Sequence, residues 1–250
     1  MFGSEAKGLG DADFTALGRA LEPLDAVDLT HTLEHGIPTY PTHAKYFQMP
    51  WRSYGDPAEM NQLILSEHTG THIDSPSHFV PDPTDPARRH VDELPLDALV
   101  GRAVTLSLGP FKPTNEVVSS RQLVEWEKAN VEIRRDDIVL LDFGWGTRWK
   151  PVPDGFAYLD GWPGLARDAS EYLAEKGVKA VGTDCISLDS GDGGGGELPA
   201  HYTLLPQGIL IIENLANLGR IPPVSLFLAL PLKIKNGTGS PVRAVALVSR

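Results

Sequence analysis

The chain has 250 residues, 41% of them hydrophobic and 22% charged, and its single cysteine, Cys185, excludes an intrachain disulfide. That is ordinary composition for a globular chain long enough to bury its own core without covalent staples. With 22 basic against 33 acidic residues, the net charge of −11 repels phosphate backbones and anionic lipid, which argues against nucleic acid and membrane as partners.

Met1 to Phe14 carries Glu5, Asp11 and Asp13 and no apolar core, so no signal peptide is expected there. No stretch approaches the roughly 18 apolar residues of a membrane helix. With the lone cysteine, this gives the expectation of a cytoplasmic protein. Asp11 to Leu21 reads as a short helix, capped by Asp11 or Asp13, with Phe14, Leu17 and Leu21 on one face. Strands are expected at Ala26–Thr30, Gln62–Glu67, Ala103–Leu108 and Ile138–Phe143. Between the last two, Ser119 or Ser120 can cap a helix running through Glu127. Pro163 to Lys176 has a helical stripe (Leu165, Ala169, Tyr172, Leu173), Pro163 in its first turn and Gly177 as its left-handed stop. Val178–Thr183, Gly208–Glu213, Ser225–Leu230 and Ala244–Val248 complete the strands. The glycine tract 191–196 lacks the Gly-Lys-Ser/Thr ending of a phosphate loop and reads as a mobile loop or lid. No repeat or long linker interrupts the chain. The expectation is one strand-rich α/β (α+β) domain over 1–250, with a helical extension at about residues 1–24.

The chemistry concentrates between His68 and Phe79, His-Thr-Gly-Thr-His-Ile-Asp-Ser-Pro-Ser-His-Phe. Three of the chain's eight histidines and an aspartate lie within eleven residues. Neutral imidazole and carboxylate are the usual ligands of zinc, manganese and ferrous iron. His68 and His72 have helical spacing, but Gly70, two threonines and Pro76 oppose a helix. In an extended chain His72 and Asp74 point the same way. Gly70 can bend His68 toward them, and Pro76 can turn the chain so that His78 returns over the same point. From residue chemistry alone, a metal site and a purely structural polar turn both stay open. Glu213 closes the apolar run Ile209–Ile212, where a carboxylate is costly to bury unless paired or metal-bound.

The segment resembles the signature His-x-Gly-Thr-His-x-Asp-x-Pro-x-His-Phe of the cyclase-like metal-dependent hydrolases, a family that includes bacterial kynurenine formamidases and isatin hydrolases. Val27–Thr30 with Pro38–Pro41, Pro163–Leu165, Gly182–Asp184 with Ser187–Asp189, Leu230–Leu232 and Gly239–Arg243 resemble further parts of that family. The resemblance implies a swivelling β/β/α fold, one or two divalent ions, and assembly as homo-oligomers (dimer or tetramer). Carried over by residue, His68, His72, Asp74, His201 and Glu213 match metal ligands and His78 the catalytic histidine. The implied activity is hydrolysis of a C–N bond in a small linear or cyclic amide, isatin-like or N-formylkynurenine-like, with zinc or manganese as the ion. A lactone hydrolase of the same family, a non-heme iron oxygenase and a non-catalytic metal-binding protein are the alternatives. Trp145, Trp149 and Trp162 either wall an aromatic pocket or pack the core. Cys185 reads as a packed hydrophobe. His31, His35, His43 and His90 match no ligand position.

Overall fold

A computed structural model describes residues 10–51 and 55–250; the first nine residues of the expected N-terminal extension lie outside them. Helix α1 (Asp11–Leu21) has the expected bounds, but Gly10 is its cap. The Asp13 carboxylate reaches back to accept from the Gly10 amide at 2.8 Å, satisfying a donor the helix start leaves free. Its Phe14, Leu17 and Leu21 face is exposed.

The strands follow in chain order: β1 (Leu24–Asp28), β2 (Phe47–Pro50), β3 (Asn61–Ile64), β4 (His72–Asp74), β5 (Val100–Ser107) and β6 (Val117–Val118). Helix α2 (Ser120–Ala129) is capped at Ser119, and β7 (Ile138–Asp142) and β8 (Gly164–Leu165) lead to helix α3 (Arg167–Lys176). Then come β9 (Ala180–Thr183), a short α4 (Pro199–Leu204), β10 (Leu210–Glu213), β11 (Val224–Leu228), β12 (Gly239–Pro241) and β13 (Val245–Ser249). Among the described residues nine strands form one sheet in the order β1-β13-β11-β5-β7-β9-β10-β4-β12. Its centre, β5-β7-β9-β10, is parallel, and the flanking pairs are antiparallel. The expected mixed, strand-rich α/β class is what the chain forms.

The parallel centre explains its own sequence. Ile138 to Leu141 are fully buried because β7 is covered on both faces. Val139 and Leu141 join Leu123, Ala169 and Leu173 of the helices in one core, whereas Ile138 and Leu140 join Leu29, Ile73, Leu99 and Phe227 in the other. Each such side chain contributes about 2 kcal/mol by leaving water.

Two expectations need correction. The helix predicted from Pro163 begins only at Arg167, and Gly164–Leu165 instead pairs with β6. A Cβ on Gly164 would lie 2.2 Å from the Ser190 amide nitrogen, so this stretch is an extended strand pressed against the next loop. Gly177 does take the left-handed stop, at φ 73°. The strand predicted over Gln62–Glu67 is only Asn61–Ile64, and it pairs with β2 in a separate two-stranded ribbon instead of running into the His68 segment.

Candidate metal centre

Strand β4 lies between β10 and β12, and its alternation decides what faces where. Ile73 points into the core, while His72 and Asp74 emerge on the opposite face, as the extended reading expects. Glu213 ends β10 directly opposite His72, and Gly239 of β12 sits opposite Asp74. Gly70 adopts φ +63°, the left-handed bend that returns His68 to this face. Pro76 then opens a single 3-10 turn, Pro76–His78. The turn swings His78 back until its ring centroid is 4.2 Å from that of His68. His201 reaches the same point from α4.

All six predicted side chains therefore meet. The His72 Nε2 atom is 3.4 Å from Asp74 Oδ1 and 3.5 Å from Glu213 Oε2. The His201 Nε2 atom is 3.4 Å from Asp74 Oδ2 and 3.5 Å from Glu213 Oε1. These gaps are too long for good hydrogen bonds. They match the roughly 3.4 Å edges of a tetrahedron whose centre is about 2.1 Å from each ligand. Donor atoms of His72, Asp74 and Glu213 lie within 4.8 Å of one another, as do those of His68, Asp74 and His78. Asp74 is common to both triads, so the arrangement has room for one ion or two. His68 Nδ1 bonds Asp74 Oδ1 at 2.6 Å.

Outer partners aim the imidazoles. His72 Nδ1 lies 2.8 Å from the Gly70 carbonyl, which also accepts from Asn214 Nδ2 at 2.8 Å. That carbonyl can only accept, so the proton sits on Nδ1 and the Nε2 lone pair faces Asp74 and Glu213. Asp189 does the same for His201. It is fully buried, and its Oδ2 is 2.5 Å from His201 Nδ1. It also accepts from the amides of Ala200 at 2.7 Å and His201 at 3.3 Å. Asp189 was not singled out from the sequence; its position, twelve residues before His201, carries no local signature of that partnership.

The electrostatics call for positive charge. Burial raises the Glu213 pKa to about 8, with the neighbouring Asp74 charge adding to the effect. Burial also opposes charge on Asp74, but the imidazole of His68, hydrogen-bonded to it, and those of His201 and His72 close by outweigh it and hold Asp74 well below the usual range. His201 is held well above its usual value: burial opposes its charge, but Asp189, Asp74 and Glu213 overcome that. A buried cluster that recruits protons onto Glu213 and His201 is one whose donor set fits a cation. His78 differs, because burial lowers its pKa to about 4.

These groups floor a cleft of about 190 Å³ walled by Tyr40, Phe79 and Leu198. Tyr40 and His43 also line an adjoining chamber of about 480 Å³, whose other walls include Ile37, Tyr46, Phe47, Phe156 and Leu159. The chamber is thus aromatic, but not through the tryptophans considered from the sequence. Trp145 and Trp162 are buried in the core, and Trp149 stacks on His31 with centroids 4.1 Å apart. His43, which matched no ligand position, sits at the junction with its Nδ1 buried and unpartnered among the described residues. Nothing in the local sequence separates it from a surface histidine. Cys185 is buried among apolar side chains, as expected, and burial raises its thiol pKa well above the usual value. In the glycine tract, Gly193 to Gly196 all have positive φ, and Asp192 caps Gly194.

The family described as putative cyclase matches residues 27–190. An isatin hydrolase of Roseibium aggregatum is 30% identical over 86% of this chain and 81% of its own length. A kynurenine formamidase of Salinibacter ruber is 33% identical over 88% of this chain and 95% of its own. Among solved structures, isatin hydrolase A from Labrenzia aggregata bound to benzyl benzoate superposes with a TM-score of 0.84 at 30% identity, covering 96% of this chain and all of that one.

Proposed function

This chain is a hydrolase of the cyclase family, and on that premise we propose that it cleaves the C–N bond of a small linear or cyclic amide at a divalent metal centre. The observation that carries the proposal is the buried convergence of His68, His72, His201, Asp74 and Glu213 at a cleft that shares Tyr40 and His43 with an apolar chamber. The proposed ligands are His68, His72, Asp74, His201 and Glu213. Zinc and manganese are the ions whose preference for nitrogen and oxygen donors suits that set. When bound, such an ion supplies Lewis acidity and brings the pKa of water from about 16 toward 7.

The protein's own groups do the rest. The Gly70 carbonyl and Asp189 keep His72 and His201 in the tautomers that present Nε2 to the centre. His78 is neutral at pH 7 because burial lowers its pKa to about 4. A ring nitrogen of His78 can take the proton of the attacking water and hand it to the departing nitrogen. Tyr40 and His43 line both chamber and cleft, and His43 Nδ1, without a partner among the described residues, can hydrogen-bond the scissile group. The chamber accepts the apolar ring. Isatin-like and N-formylkynurenine-like compounds are the proposed substrates, given the names of the two relatives. The lone buried cysteine supports a cytosolic setting. Among the described residues no helix is long and apolar enough to cross a membrane.

The proposal is tested by following ring opening of isatin and deformylation of N-formylkynurenine, with a simple lactone for comparison. Cleavage of either amide, lost in His78→Ala with the metal content unchanged, supports it. Full turnover by His78→Ala would remove the proton-carrier role, and cleavage of the lactone alone would replace the amide reading.

A further inference from the structure

Strands β9 and β10 are parallel neighbours, so the loop leaving β9 and the end of β10 at Glu213 lie along one edge of the sheet, where parallel sheets form their crevices. Ser187 sits in that loop, lines the cleft and is 6% exposed. Of the polar groups lining the cleft, four belong to the proposed ligand set and His78 carries the proton, which leaves Tyr40, His43 and Ser187. Tyr40 and His43 also line the chamber, whereas Ser187 belongs to the cleft alone. The Ser187 Oγ atom accepts from the Asp189 amide at 3.2 Å, and its own proton has no acceptor among the described residues. Ser190, in the same loop, donates to Asp192 at 2.7 Å. A buried hydroxyl ordinarily finds an acceptor, so one left over at the wall of the cleft is available to a substrate.

The loop is also pinned to the cluster on the C-terminal side of Ser187. The Leu188 amide donates to Glu213 Oε1 at 2.9 Å, and the Asp189 carboxylate bonds His201 Nδ1 at 2.5 Å. A donor held this firmly needs no reorganisation when charge develops beside it, which is the condition for stabilising an oxyanion. We infer that Ser187 is a further catalytic residue, whose O–H donates a hydrogen bond to the scissile carbonyl oxygen as that oxygen becomes an oxyanion. The inference rests on the amide-hydrolase reading above. As the water oxygen bonds to the carbonyl carbon, one of its protons passes to His78 and the carbonyl π pair moves onto the oxygen that Ser187 faces. When that pair returns, the C–N bond breaks and the departing nitrogen takes the proton from His78. Ser187 keeps its own proton throughout and acts neither as nucleophile nor as acid.

Ser187→Ala and Ser187→Thr are compared with wild type as metal-loaded enzymes, on isatin and on N-formylkynurenine. Ser187→Ala should lower kcat about a hundredfold with KM nearly unchanged. Ser187→Thr, which keeps the hydroxyl, should recover most of that loss. Ser187 also accepts from the Asp189 amide, so a purely structural role would act through Asp189 and His201 and weaken metal binding. The metal affinity of Ser187→Ala, measured by competition with a chelator, is instead expected to stay at the wild-type value. Phenylphosphonate, whose tetrahedral P–O⁻ groups stand in for the oxyanion, gives a readout without turnover. By titration calorimetry it should bind wild type at least about tenfold more tightly than Ser187→Ala. Full kcat in Ser187→Ala, a loss that follows lost metal, no recovery in Ser187→Thr, or phenylphosphonate binding that fails to separate the two proteins overturns the inference and leaves amide hydrolysis standing. A wild type that cleaves neither amide removes the amide reading itself, and the role of Ser187 with it.

Discussion

Asp189→Asn tests whether the centre depends on how its imidazoles are aimed. The carboxylate makes three contacts in a fully buried position: the Ala200 amide at 2.7 Å, the His201 amide at 3.3 Å and His201 Nδ1 at 2.5 Å. All three partners are donors. An asparagine of the same shape offers one oxygen and one NH₂ group, so one carboxylate position becomes a donor facing donors. If the oxygen stays with Ala200, the NH₂ faces Nδ1 and favours the tautomer protonated on Nε2, which turns a lone pair away from Asp74 and Glu213. If it turns to His201, the Ala200 amide is left unsatisfied. Either way a charge-assisted bond is lost, costing about 2–3 kcal/mol. Loss of such an outer partner lowers metal affinity about 10- to 100-fold. The assay is competition with a chelator of known affinity, with thermal unfolding of the metal-loaded and metal-free forms measured in parallel. The substitution should narrow the gap between those two melting temperatures, because less binding free energy is then available to the folded state. Wild-type metal affinity and turnover in Asp189→Asn would refute the reasoning.

Gly239→Ala should weaken metal binding through His68, because the added Cβ would lie 2.5 Å from His68 Cε1 and 2.7 Å from the Ile73 carbonyl oxygen. About a tenfold loss in the same competition assay is expected, and unchanged affinity would show that the His68 ring moves without consequence. Acid stability has a separate origin in His31, whose pKa falls from 6.5 to about 4 because it is buried. The unfolded chain then binds the extra proton, so stability is full above pH 6.5 and declines as the pH falls from there toward 4. The loss attributable to His31 is at most about 3 kcal/mol. His31→Phe, which retains an aromatic partner for Trp149, should flatten that limb of a denaturation-against-pH curve, and an unchanged slope would contradict the assignment.

The convergence of His68, His72, Asp74 and His78 was legible in the sequence because these residues obey local rules. Alternation put His72 and Asp74 on one face, Gly70 marked the bend, and Pro76 marked the turn that returns His78. The distant members were legible only through resemblance. That Glu213 faces His72 is a matter of strand register, and no local pattern sets which strands pair across 140 residues of chain. Asp189 and His43 were missed for the same reason, since their roles arise from loops that meet only in the fold. Leu165 was assigned to the wrong element because a buried leucine suits a helix stripe and a buried strand alike, and only the tight approach at Gly164 decides. For the tryptophans the sequence left a pocket wall and core packing both open, and core packing is the outcome: Trp145 and Trp162 donate to the Tyr158 and Asp189 carbonyls and pack inside.

The central claim is that the buried cluster holds a catalytic divalent ion, and the most direct test is elemental analysis of the purified protein joined to a cycle of chelation and restoration. The account predicts one or two zinc or manganese ions per chain, loss of amide hydrolysis when they are removed, and its return when either ion is added back. It also predicts that His72→Ala and Asp74→Ala lose metal and activity together. A folded protein that takes up no divalent ion even at excess, or one that hydrolyses amides equally well without it, would contradict the claim and leave His68, His72, Asp74, His201 and Glu213 as a structural polar cluster.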